Sequence, residues 1–74
     1  MKERLRGIMA EVLDVDPRRI DASFARDTAP SWDSLAHLRL ITAVEEAFGV
    51  RFTMKEVGEL DRYSKLCDRL AQSA

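Results

Sequence analysis

The sequence predicts an all-α fold, a small four-helix bundle of three longer helices plus one short third helix, with a long loop between helices one and two. Three observations predict it. Apolar residues recur at three- and four-residue spacings in separate segments, and helix-ending or helix-capping residues stand between those segments. A chain of 74 residues, 46% hydrophobic and 34% charged, has enough apolar material for one small core and no spare volume for a deep catalytic cavity. A single domain over residues 1–74, folding alone, is expected.

Helix one is expected from Lys2 to about Leu13. Leu5, Ile8, Met9, Val12 and Leu13 place one apolar stripe on a 3.6-residue period. Gly7 costs that helix roughly 1 kcal/mol relative to Ala without breaking the stripe. Asp14-Val15-Asp16-Pro17 ends it, because Pro17 lacks a backbone donor and disfavours helical geometry in the residue before it. Arg18-Arg19 reads as a solvated pair. From Ile20 to Ser31 no period is sustained, so this is a loop pinned by Ile20 and Phe24. A connection that long in so small a domain points to function.

Helix two is expected over Ser34 to Phe48, with Ser31, Asp33 and Ser34 as candidate caps and Gly49 just past its end. Ala36, Leu40, Ile41, Ala43, Val44, Ala47 and Phe48 form its apolar side, and Arg39, Thr42 and Glu46 lie opposite. Leu35 falls in the middle of the polar side, with Leu38 at its edge. Thr53 and Glu56 have capping-box spacing for a short third helix whose inward face is Val57 and Leu60. Gly58 weakens that helix. Tyr63-Ser64 introduces the last helix, with Ser64 as its cap, Leu66, Cys67, Leu70 and Ala71 as its apolar side, and Gln72-Ser73-Ala74 expected to fray.

Composition narrows the function. Lys+Arg 12 against Asp+Glu 13 leaves a net charge of −1, which offers no basic field for nucleic acid and no polybasic anchor for a membrane. The single cysteine, Cys67, cannot form an internal disulfide and reads as a small buried hydrophobe. A cytoplasmic setting is expected, since no long apolar run or signal segment is visible. One histidine and one cysteine far apart in sequence do not make a metal site.

The stretch Trp32-Asp33-Ser34-Leu35 carries the chemistry. A serine at a helix start beside two exposed leucines fits a docking surface around a reactive handle, and it equally fits a helix cap with incidental neighbours. An enzymatic reading would pair Ser34 with His37, three residues on. That reading finds no oxyanion site or cleft in a domain this small.

Asp33-Ser34-Leu35 resembles the Asp-Ser-Leu motif of acyl carrier proteins. The likeness extends to the apolar first helix, Phe24 and Asp27 in the long loop, Leu40-Ile41 and Glu45-Glu46 along helix two, and Phe48-Gly49 at its end. It covers nearly the whole chain. The resemblance implies a carrier, not an enzyme, with 4′-phosphopantetheine attached to Ser34 from coenzyme A. Asp33 would assist the modifying enzyme while capping helix two, and the thioester-bound acyl or aminoacyl cargo would sit on the arm's thiol. It also implies a partner-docking face of Leu35, Leu38, Arg39, Thr42, Glu45 and Glu46. The implied partners are a phosphopantetheinyl transferase and loading ligase, synthase or transferase enzymes, met by a monomer. In the family the short third helix helps gate an acyl pocket.

The sequence departs from fatty-acid carriers, which are strongly acidic along helix two. Here Arg39 occupies a position that is often acidic, and Glu45 and Glu46 are the helix's only carboxylates. Charge complementarity selects partners, so a specialised lipid, polyketide or aminoacyl pathway is expected over housekeeping fatty acid biosynthesis. Ala29-Pro30-Ser31-Trp32-Asp33 has no glycine, unlike standard peptidyl carrier domains. The alternative is a helical interaction module without a prosthetic group, docking through Leu35, Leu38 and Arg39. Trp32 either packs under the loop or covers the arm.

Overall fold

The computed structural model describes residues 1–73, in which four α-helices follow one another: α1 Lys2–Leu13, α2 Ser34–Phe48, α3 Met54–Glu59 and α4 Tyr63–Ser73. The bundle and the short third helix match the fold class expected from the sequence. Among the described residues the only extended pairing is an isolated bridge between Ala25 and Arg62, and no helix is long and apolar enough to cross a membrane.

Helix α1 stops earlier than Pro17 requires. Asp14 adopts the left-handed conformation (φ 55°), its N–H and that of Val15 both reach back to the Ala10 carbonyl, and the last turn is closed there. Aspartate tolerates this geometry better than most residues. Pro17 instead opens a 3-10 turn, Pro17–Arg19, capped by the Asp16 side chain. Asp16 also pairs with Arg18, and this surface contact holds its carboxyl below the usual range.

The core gathers the predicted stripe of α1 (Leu5, Met9, Leu13), the loop anchors Ile20 and Phe24, and Leu40, Ile41 and Val44 from α2. Leu60, Tyr63, Leu66, Cys67 and Leu70 complete it. Each fully buried leucine stabilises the fold by roughly 1.5–3 kcal/mol. Two expectations for α4 need correction. The helix starts at Tyr63, so Ser64 lies inside it and is not its cap, and Ala71 is exposed because the inward stripe ends at Leu70. Of the end expected to fray, Gln72 and Ser73 are within the helix and Ala74 lies outside the described residues.

The long loop is sewn to the α3–α4 junction. The Arg26 N–H donates to the Asp61 carbonyl at 2.8 Å, and the Tyr63 N–H donates to the Phe24 carbonyl at 3.0 Å. A second 3-10 turn, Arg26–Thr28, then carries the chain to the start of α2. Helix α2 ends at Gly49 in the left-handed conformation (φ 64°), which a residue without Cβ adopts freely. Helix α3 has only six residues and relies on polar contacts. Thr53 and Glu56 form the expected capping box, Glu56 binds the Arg69 guanidinium of α4, and the Val57 carbonyl is tied to α2. Val57 is half-buried against the core and Leu60 is fully inside.

Candidate functional site

The head of α2 is built from both of its flanks. Of the three candidate caps, Asp33 is the one used. Its backbone is extended (φ −89°, ψ −174°) and its Oδ1 accepts the Ala36 N–H at 2.9 Å. That choice makes Ser34 the first helical residue, exposed at the end of the helix where backbone N–H groups lack intrahelical partners and the dipole is positive.

Trp32 packs under the loop. It is 2% exposed, and its ring stacks on Phe24 with centroids 5.6 Å apart. Its Nε1–H donates to His37 Nδ1 at 3.0 Å. An indole N–H can only donate, so His37 Nδ1 accepts and the His37 Nε2–H donates to the Val57 carbonyl at 2.7 Å. The neutral imidazole thus joins the motif, α2 and α3 in one chain of hydrogen bonds. This geometry rules out the Ser34–His37 pairing. His37 is 5% exposed, on the buried side of the helix with both nitrogens engaged, while Ser34 faces solvent.

Ser34 has a different neighbour. The Arg26 Nη2–H donates to Ser34 Oγ at 3.1 Å, while the Arg26 Nε–H donates to the Trp32 carbonyl at 3.2 Å. Arg26 and Trp32 also line an open trough of about 450 Å³ together with Asp27, Ala29, Pro30, Gly58 and Asp61. Neither Arg26 nor His37 was singled out for these roles from the sequence. Arg26 stands eight residues before Ser34, and only the path of the loop brings the two together.

The expected docking residues sit mostly on one open surface. Leu35 and Leu38 are 62% and 58% exposed, and Arg39, Thr42 and Glu46 are exposed too, the Thr42 hydroxyl donating to the Leu38 carbonyl at 3.0 Å. Glu45 departs from that set. It is half-buried, and its Oε2 accepts the Phe52 N–H at 2.8 Å, so its carboxylate secures the α2–α3 connection.

The residues at the head of α2 suit a covalently held phosphate. Ser34 offers an accessible hydroxyl, the helix terminus favours negative charge, and a guanidinium already reaches the serine oxygen. A small helical bundle presenting one hydroxyl in that setting has the layout of a carrier. Residues 3–70 match the family model described as a phosphopantetheine attachment site. The chain is 38% identical over 68 residues to the acyl carrier protein of Thermosynechococcus vestitus (strain NIES-2133 / IAM M-273 / BP-1), covering 89% of this chain and 82% of that protein. This chain belongs to the acyl carrier protein family, whose members carry 4′-phosphopantetheine covalently and are not enzymes.

Proposed function

We propose that Ser34 is the attachment point of 4′-phosphopantetheine and that the chain presents acyl or aminoacyl groups to partner enzymes from there. The observation that carries the reading is the exposed Ser34 Oγ at the first position of α2, with the Arg26 guanidinium 3.1 Å away. In the modifying step the Ser34 oxygen attacks the pantetheine-side phosphorus of the coenzyme A pyrophosphate, the bridging P–O bond breaks as the phosphodiester forms, adenosine 3′,5′-bisphosphate leaves, and the serine proton passes to a base of the transferase. The arm supplies a thiol that holds cargo as a thioester. Asp33 fixes the serine by capping the helix, and Trp32 and His37 hold the backbone on either side of it rigid. Loading by a phosphopantetheinyl transferase, with intact mass as the readout, tests the assignment.

Leu35, Leu38, Arg39, Thr42 and Glu46 form the docking face in this reading. Their exposure supports it, and the engagement of the Glu45 carboxylate with Phe52 leaves Glu46 as the acidic group on that face. A face with one free carboxylate and one arginine suits partners other than those selecting strongly acidic carriers. We therefore place the chain in a specialised lipid, polyketide or aminoacyl pathway, acting as a cytoplasmic monomer. Arg39→Glu should raise kcat/KM with enzymes that select acidic carriers. Unchanged kinetics would count against the charge argument.

A further inference from the structure

We propose that Arg26 is a positioning residue for the phosphate of the arm carried on Ser34, an inference that rests on Ser34 being the attachment point. Arg26 is held from two directions. Its backbone N–H donates to the Asp61 carbonyl at 2.8 Å, which ties the residue to the α3–α4 junction. Its Nε–H donates to the Trp32 carbonyl at 3.2 Å, and the Trp32 side chain is buried against Phe24. These anchors set the plane of the guanidinium so that Nη2 reaches Ser34 Oγ. Neither anchor depends on whether Ser34 is modified.

A guanidinium presents its N–H donors as a planar fork that matches the oxygens of a phosphate. Esterification of Oγ puts phosphorus one bond further out and brings two non-bridging oxygens, which share one negative charge, to the same edge of the guanidinium. A hydrogen bond from a cation to a neutral hydroxyl then becomes one between two opposite charges. The contact is exposed to solvent, so raising salt should weaken it. The first atoms of the arm are thereby held against the loop, and the remainder swings from a fixed origin. The helix terminus contributes to any phosphate at this place, whereas the Arg26 contribution is particular to this loop.

The test uses wild type, R26K and R26Q, each prepared unloaded and loaded from coenzyme A by a broad-specificity phosphopantetheinyl transferase, with loading confirmed by intact mass. Each loaded form is compared with its own unloaded form, which cancels the structural loss of the bond to Trp32. Loading should raise Tm by about 2–5 °C more in wild type than in R26Q, with R26K intermediate. The phosphorus NMR resonance of loaded wild type should move toward that of loaded R26Q as salt is raised. An arm-dependent Tm change and a phosphorus resonance that are the same in wild type and R26Q, with loading confirmed, would overturn the Arg26 role alone. Should R26Q not fold, R26K carries the same comparison, and values equal to wild type at every salt concentration overturn the role. Failure of wild type to gain mass would overturn the attachment reading and this inference with it.

Discussion

The two sides of the first turns of α2 make opposite use of their residue types. Trp32 and His37 carry polar ring nitrogens and are 2% and 5% exposed, while Leu35 and Leu38 are wholly apolar and stand 62% and 58% exposed. The buried side tolerates its nitrogens because each has a partner: indole to imidazole, and imidazole to the Val57 carbonyl. The exposed side keeps its leucines in water, where burial would have favoured them by roughly 1.5–3 kcal/mol each. One side is built for fixing the position of Ser34, and the other suits contact with another molecule.

The largest expected effect comes from breaking the buried side. Trp32→Ala removes the stack on Phe24 and leaves His37 Nδ1 unpaired, and should cost about 3–5 kcal/mol. That is much of the total of roughly 5–15 kcal/mol available to a domain. Trp32→Phe keeps most of the ring but deletes the donor, so about 1–3 kcal/mol is expected, read from urea midpoints. A loss below about 0.5 kcal/mol for Trp32→Phe would show that the indole–imidazole bond contributes little.

Acid should reveal the next effect, at α3, the element that the buried side ties down through Val57. Glu56 is held below its ordinary pKa of 4.5 by the Arg69 guanidinium and then by the Thr53 N–H. Because the folded value is the lower one, the stabilisation is fully present above the unfolded pKa and is lost as pH falls through the folded value. Wild type should therefore lose stability on acidification below about pH 4.5, and Glu56→Gln should flatten that part of the profile. Equal acid limbs in Tm against pH for the two proteins would remove Glu56 from the explanation. The exposed side should give the smallest change in folding. Leu35→Ala and Leu38→Ala are each expected to stay within about 0.5 kcal/mol of wild type in urea unfolding. On the docking reading they should nevertheless raise KM for the phosphopantetheinyl transferase, and unaltered kinetics in the double variant would argue against a docking role.

Much of this arrangement was legible in the residues. The 3.6-residue stripes, the Thr53–Glu56 capping box and Gly49 place α1, α2 and α3 where the structure has them, because these are local signals acting within one or two turns. The exposed leucines were also visible, from their angular position on α2. Ser64 misled because a serine before an apolar stripe resembles a cap, whereas the Phe24 carbonyl binds the Tyr63 N–H and the helix begins at Tyr63. Arg26 and His37 were not legible in these roles, since both act across the fold. Arg26 meets Ser34 only after the loop is fastened to Asp61 and Tyr63, and His37 meets Val57 across twenty positions of sequence. The Glu45 contact was not legible for a similar reason, as its partner is a backbone N–H beyond the helix end.

The most direct measurement of the central claim is the intact mass of the protein after incubation with coenzyme A and a broad-specificity phosphopantetheinyl transferase. Wild type should gain the mass of one phosphopantetheine, and Ser34→Ala, folded by circular dichroism, should gain none. No gain in wild type with several transferases, or an undiminished gain in Ser34→Ala, would contradict the assignment of Ser34 as the attachment point.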